Sequence, residues 1–279
     1  MTSTRESAGA NDGIVFHDVR VTYPRATSPA LDGVSVHAAA GRVTAVVGPN
    51  GSGKSTLVRA LLRRVPLTGG HIVVGEQAHT SLDARAFARR VAVVPQREEV
   101  QLALPVHEFV LLGRHVHLGA FTPIGAHDRE AVRDALDRAG MLHLADRRTD
   151  TLSGGEWQRV RIARALAQEA PAMVFDEPTT FLDIAHEMAV FELLDALAAD
   201  GRTVLLISHQ LNLVARFASH IVLLSNGRVA AAGSANEVMR GDILEAVYDW
   251  PLVVTRDPAV GALALVPLRK SARSMRSPP

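Results

Sequence analysis

There is no cysteine anywhere in the 279 residues, which removes disulfide staples and thiolate metal sites from consideration. Aromatic side chains make up only 4% of the chain, so a tyrosine near a candidate site, Tyr23, stands out. Neither sign of charge prevails: 30 Lys and Arg against 29 Asp and Glu leave +1. Such a balance argues against a nucleic-acid-coating surface, though a local patch is compatible with it. No apolar run approaches the ~20 residues that a membrane-spanning helix needs. Residues 1–12 are polar and small, without the apolar stretch of a signal peptide, and are expected to be disordered. A cytoplasmic protein is the expectation. What is present, 47% hydrophobic and 21% charged residues, is globular composition in a chain long enough for a substantial core or one domain with a large insert.

The stretch around which the rest is arranged is Gly48-Pro49-Asn50-Gly51-Ser52-Gly53-Lys54-Ser55-Thr56. It fits G-x-x-x-x-G-K-[ST], the phosphate-cradling P-loop. Before it the apolar run Val43, Ala45, Val46, Val47 predicts a buried strand. After it Leu57, Val58, Leu61, Leu62 and Val65 recur at helical spacing, with Pro66 as the expected stop. Glycines permit the tight turn and a close approach to phosphate oxygens, while loop N–H groups and the positive helix end favour an anion. Lys54 supplies charge for the β- and γ-phosphates and Ser55 a hydroxyl ligand for Mg²⁺. A nucleotide site follows from these residues.

Elsewhere the pattern is that of an α/β chain. Strands are predicted over 14–23, 34–37, 71–74, 91–94, 172–175, 203–207, 221–224 and 228–231, with a terminal hairpin from 252–255 and 262–266. From about 97 to 150 strand-like runs disappear and leucine, alanine and charge recur at helical spacing, which reads as a helical insertion. Asp128 is the expected N-cap of a helix there, ended by Gly140. His115 and His117 form an H-x-H pair, but no third ligand converges on them in sequence and no metal site is expected. Residues 251–279 are read as the hairpin plus a basic disordered tail (Arg269, Lys270, Arg273, Arg276).

Several chemistry-bearing residues follow predicted strands directly, where catalytic groups of open α/β sheets gather. Gln96 could contact Mg²⁺ or an attacking water. Asp176 and Glu177 end an apolar strand, one suited to holding Mg²⁺ and the other to accepting a proton from water. His209 could reach a γ-phosphate. Ser153-Gly154-Gly155 opens a helix and offers a second anion-binding N-terminus. Tyr23 could equally stack on an adenine ring or pack on its sheet.

Taken together, Gly48–Thr56, Leu152–Gln158, Asp176-Glu177 and His209 resemble the ATP-binding subunit of an ABC transporter, over about Ile14 to Tyr248. The resemblance implies a P-loop NTPase fold: a RecA-like core, an antiparallel β subdomain and an inserted helical subdomain (about 97–160) within a domain spanning 13–250. It also implies ATP and Mg²⁺ as cofactors. Tyr23 corresponds to the A-loop, Gly48–Thr56 to Walker A, Gln96 to the Q-loop, Asp176 and Glu177 to the end of Walker B, Asp183 to the D-loop and His209 to the switch histidine. One P-loop and one signature motif, Leu152–Gln158, imply a homodimer enclosing two ATP molecules, on the cytoplasmic side of the membrane against a separate permease. An extracytoplasmic substrate-binding protein is an indirect partner, and nucleic acid is not expected to be one. The wording "LLGRHVHLG", "PTTFLDIAHE" and "SHQLNLVARFASHIVLL" is similar to that of metal-chelate importers carrying ferric siderophores, haem or cobalamin. Trp157, Phe181 and Gln210 depart from common family wording without removing a catalytic group. An ATPase for free Mn²⁺ or Zn²⁺ import, an exporter subunit and a soluble ABC ATPase acting away from membranes are the alternatives.

Overall fold

All five residues of Val43–Val47 and all five of Thr203–Ile207 are buried, the signature of parallel strands covered on both faces. The computed structural model describes residues 13–96, 103–119, 122–180 and 182–270. The expectations for 1–12, for Phe181 and for 271–279 lie outside them, as does the start of the insert at 97–102.

In chain order the elements are β1 (Ile14–Val21), β2 (Leu31–Ala38), β3 (Val43–Val47), α1 (Lys54–Leu61), β4 (Gly69–Val74), β5 (Gln77–Ala78), α2 (Ala84–Ala88) and β6 (Val91–Val94). Then come α3 (Val106–Leu111), α4 (Ala126–Arg138), α5 (Gly154–Ala167), β7 (Ala172–Asp176), α6 (Ile184–Ala199), β8 (Thr203–Ile207) and α7 (Leu211–Phe217). The chain continues through β9 (His220–Ser225), β10 (Arg228–Gly233), α8 (Ala235–Val238), α9 (Gly241–Tyr248), β11 (Leu252–Arg256) and β12 (Leu263–Pro267).

Two sheets carry the architecture. An antiparallel sheet runs β2-β1-β4-β5, and a six-stranded sheet runs β10-β9-β3-β8-β7-β6. In the second, β9, β3, β8, β7 and β6 are mutually parallel and β10 joins antiparallel at the edge. One apolar cluster (Phe16, Leu31, Leu57, Leu61, Ile72, Val174, Ile207) fills the space between the antiparallel sheet, α1 and one face of the large sheet. Another (Val110, Leu136, Ile162, Phe175, Phe191, Leu206, Leu223) joins the opposite face to α3 through α7. The P-loop strand β3 lies between β8 and β9, deep in the sheet, so the loop after it starts from a rigid base.

The insert is helical as expected. Its described residues contribute α3, α4 and short 3₁₀ turns, with a lone bridge between Pro105 and Arg148 as the sole β pairing among them. Several boundaries differ from the sequence reading. Strand β1 stops at Val21, leaving Tyr23 beyond its end. Helix α1 stops at Leu61, well before Pro66, because Arg63 takes a left-handed φ of 57° and its guanidinium is drawn to the Leu82 and His79 carbonyls. Asp128 is not the N-cap of α4. Gly125 holds that place, and Asp128 three residues on accepts from the Gly125 N–H at 3.0 Å, leaving its other oxygen for Arg114. Sequence periodicity found the helix but not this ion pair, which arrives from another segment. The terminal hairpin forms in register, Leu252 opposite Pro267 through Arg256 opposite Leu263. It packs on α7, where Asn212 accepts from the Leu265 N–H at 2.7 Å.

Candidate functional site

Gly48 leaves β3 with φ 148°, and a Cβ there would stand 2.2 Å from the Leu224 carbonyl oxygen. Only glycine lets the loop turn against β9 at this point. The loop then curls so that Ser52 is 2% exposed and Lys54 7% exposed. The Lys54 ammonium donates to the Gly48 carbonyl at 2.7 Å and the Pro49 carbonyl at 3.0 Å, which leaves its third proton for a ligand. Burial pushes the Lys54 pKa down, opposed by the charges of Glu177 and Asp176. The Ser52 hydroxyl is buried with no hydrogen-bond partner among the described residues, a donor that a phosphate oxygen would satisfy.

Around the loop is a cavity of about 620 Å³ lined by Asn50 through Thr56 together with Ala30, Gln96, Glu177, Thr180 and His209. Gln96, Glu177 and His209 come just after strand ends, and Thr180 lies in the loop that follows β7. Glu177 follows β7 in the left-handed region, φ 48°, its N–H bonded to the Ile207 carbonyl at 2.9 Å. A non-glycine residue held there stores strain, as reactive positions commonly do. Its Oε2 accepts from the Gln96 amide at 2.6 Å, lies 3.4 Å from the Thr180 hydroxyl and stands 3.6 Å from His209 Nδ1. The carboxylate is therefore aimed into the cavity by three groups from three different chain segments. Thr180 was not singled out from sequence. It sits in Pro178-Thr179-Thr180, and nothing local distinguishes it from any loop threonine.

Asp176 ends β7 and faces a second cleft of about 440 Å³, shared with Ser55, Gln96, Arg59 and Arg164. Ser55 and Gln96 line both spaces. A carboxylate, a hydroxyl and an amide carbonyl form an all-oxygen donor set, the kind a hard divalent cation takes. Burial, with the Glu177 charge adding to it, pushes the Asp176 carboxyl up, against the pull of Arg59 and Lys54.

Tyr23 reaches the loop from the antiparallel sheet. Its hydroxyl lies 3.3 Å from the Thr56 hydroxyl and receives the Arg59 guanidinium at 3.4 Å. The Thr56 hydrogen bond lowers its pKa, with burial acting the other way and Arg59 assisting. Tyr23 is thus anchored by its hydroxyl to the P-loop end, an attachment that neither sequence alternative foresaw.

Ser153 caps α5 in a reciprocal box: its hydroxyl accepts from the Glu156 N–H at 3.3 Å and the Glu156 carboxylate from the Ser153 N–H at 2.7 Å. Asp183 caps α6, accepting from the His186 N–H at 2.9 Å. None of Ser153, Gly154, Gly155 or Asp183 lines either cavity. They form a separate, largely exposed edge of the same molecule. His115 and His117 fall in and just after a 3₁₀ turn, where His117 Nε2 lies 2.9 Å from the Gln168 carbonyl. No group of three His, Cys, Asp or Glu side chains placed to hold a metal occurs among the described residues.

Comparison with known proteins meets this geometry. The family model described as ABC transporter matches residues 31–180. The ferric enterobactin transport ATP-binding protein FepC of Escherichia coli is 39% identical over 235 residues, covering 84% of this chain and 87% of its own. The hemin import ATP-binding protein HmuV of Streptomyces coelicolor is 41% identical over 241 residues, 86% of this chain and 85% of its own. Among solved structures, a metal-chelate type ABC transporter in an inward-facing conformation superposes with a TM-score of 0.81 at 30% identity, covering 94% of this chain and 99% of that one. A dimeric bacterial ABC transporter cassette, MJ0796, gives 0.69 at 28% identity, covering 80% and 98%. No helix among the described residues is long and apolar enough to cross a membrane. The chain belongs to the ABC transporter family, as an ATP-binding subunit that hydrolyses ATP.

Proposed function

We propose that two copies of this chain close head to tail around two ATP molecules and drive a separate membrane permease importing a metal chelate. The observation that carries the two-copy reading is the separation just described. The P-loop cavity is lined by Glu177, whereas none of Ser153, Gly154, Gly155 and Asp183 lines it. A signature edge that lines no part of its own P-loop cavity is usable by a second copy, and a dimeric cassette among the similar structures supports pairing of two such chains.

In this reading the loop N–H groups, Lys54 and Ser52 hold the phosphates. Glu177 takes a proton from water as that oxygen bonds to the γ-phosphorus and the bond to the β-phosphate oxygen breaks. Gln96, Thr180 and His209 hold the carboxylate and water in line. Asp176, Ser55 and Gln96 would hold Mg²⁺, which neutralises charge on the β- and γ-phosphates when bound. Ser153 contributes a hydroxyl proton from the facing copy, since its oxygen already accepts from Glu156. Docking on a permease places the protein peripherally on the cytoplasmic side of the membrane.

Asp176 carries a checkable cost. Its raised pKa means that its ionised form is penalised in the folded state, so its contribution to stability falls as pH rises above the unfolded carboxyl value. Asp176→Asn should therefore raise the Tm of the nucleotide-free protein at neutral pH, by roughly 2–4 °C for each ~1 kcal/mol relieved, while Mg²⁺-dependent ATP turnover disappears. Calorimetry beside a phosphate-release assay reads both, and an unchanged Mg²⁺ dependence would remove Asp176 from the metal set.

Chelate import is supported by the named relatives for ferric enterobactin and hemin. The protein purified with its permease and binding protein should show ATPase activity stimulated by one of a ferric siderophore, haem or cobalamin. Stimulation by none of the three defeats the chelate reading.

A further inference from the structure

Between the two exposed caps lies a contact that neither cap requires. The His186 side chain, on the first turn of α6, turns back so that its Nδ1–H donates to Asp183 Oδ1 at 2.7 Å. The same oxygen already receives the His186 backbone N–H. The other side of the imidazole covers Gly155. A Cβ built on Gly155 would stand 2.8 Å from His186 Cδ2 and 2.9 Å from Cγ, distances no carbon pair tolerates, although the Gly155 backbone itself is helical. Glycine at 155 thus leaves room for this ring. The ring is half-buried, its side chain 29% exposed, whereas Asp183 is 67% exposed. Beside them Ile184 is 80% exposed, the most exposed large apolar side chain among the described residues, so this turn offers apolar surface for a second copy to cover.

We propose that His186 is a positioning residue, locking the D-loop carboxylate to the signature helix within one subunit so that Ser153, Gly155 and Asp183 meet the second copy as one rigid edge. Without the ring, a direct contact between the start of α6 and the start of α5 would be lost, leaving each cap freer to shift. Preorganised groups at a closing interface act through position, and a misplacement of about 1 Å is enough to cost roughly a hundredfold in rate. Hydrogen bonds from the His186 backbone and ring hold the Asp183 carboxyl below its usual range, so the oxygen held is an anionic acceptor.

This inference rests on the two-copy reading, and the experiment separates the two. His186→Ala in the full chain should lower the ATPase kcat roughly ten- to a hundredfold with KM and the affinity for a fluorescent ATP analogue unchanged, because His186 lines neither cavity. Tm should stay near wild type, since the backbone N–H still caps onto Asp183. His186→Asn keeps a side-chain donor and should restore part of kcat, whereas His186→Phe keeps a ring over Gly155 but cannot donate. In an Asp183→Ala background the donor is idle, so His186→Phe should cause no further loss. Wild-type kcat in His186→Ala, or a full additional loss from His186→Phe on Asp183→Ala, overturns the role. ATP-dependent dimerisation is followed in a Glu177→Gln background by light scattering. Failure of Glu177→Gln alone to dimerise sinks the two-copy reading and this proposal with it. Dimerisation of Glu177→Gln that His186→Ala leaves unchanged sinks the proposal alone.

Discussion

Replacing Glu177 by glutamine should abolish ATP turnover while leaving ATP bound. A positioned general base contributes about 10²- to 10⁴-fold, and the amide removes the base while preserving shape. The Gln96 amide at 2.6 Å and the Thr180 hydroxyl at 3.4 Å would still find an oxygen acceptor at position 177. The left-handed backbone at that residue, φ 48°, is no costlier for glutamine than for glutamate, so the strand end should not rearrange. Removing a negative charge beside Lys54 also takes away a partner that supports its protonated state, yet the two loop carbonyls that hold the ammonium remain. Phosphate release and nucleotide retention measured on the same sample test this. Near-normal turnover would exclude Glu177 as the base, and loss of nucleotide binding would mean that the carboxylate shapes the phosphate cradle.

The second large effect is on stability, far from the P-loop. Arg114 is 1% exposed and ties the helical insert to the end of α5 and the turn after it. Its guanidinium donates to Asp128 at 3.0 Å, to the Ala167 carbonyl at 2.8 Å and to Glu169 at 2.5 Å. Ala167 is the last residue of α5, the helix that begins at the signature, so the clamp anchors the far end of that helix. Arg114→Met should cost roughly 3–5 kcal/mol, because a buried carboxylate and a carbonyl lose their donor at once, and should lower Tm by roughly 10 °C. The sign with pH follows from the carboxylates. The Gly125 N–H first, then Arg114, holds Asp128 below its ordinary value. Burial acts to raise Glu169, but its pairing with Arg114 prevails and lowers it. Stability from groups with depressed pKa is complete above their unfolded values and is lost as pH falls through the folded ones. The gap between wild type and Arg114→Met should therefore narrow below about pH 4. A gap that stays constant into acid would show that Arg114 contributes through packing alone.

Both effects hinge on contacts across long stretches of chain, and this is where reading the sequence stopped. Residues 43–56 declare themselves locally, since strand, glycine turn and helix each leave a periodic or steric mark within a few residues. The same holds for β6 and β8, whose predicted and observed limits coincide. Asp128 illustrates the boundary: a helix start was legible around it, but whether it or Gly125 caps depends on Arg114, 14 residues upstream. Tyr23 was visible as a rare aromatic near the loop, yet its attachment to Thr56 crosses 33 residues. Thr180 and His186 lie within the quoted wording 178–187, but their contacts were not legible there, because a hydroxyl near Glu177 and a ring over Gly155 come from packing between segments.

By itself the sequence determined a P-loop nucleotide site in an α/β sheet with a helical insert and, through its signature wording, membership among ABC ATPases. Those are short-range properties, written in spacing and residue type. The tertiary structure decided which groups surround Glu177, and that Ser153, Gly154 and Gly155 line no part of the P-loop cavity. It also set the His186 ring between Asp183 and Gly155. These depend on how helices α5 and α6 pack against the sheet, and side-chain packing between segments is set by the whole core rather than by any stretch within it.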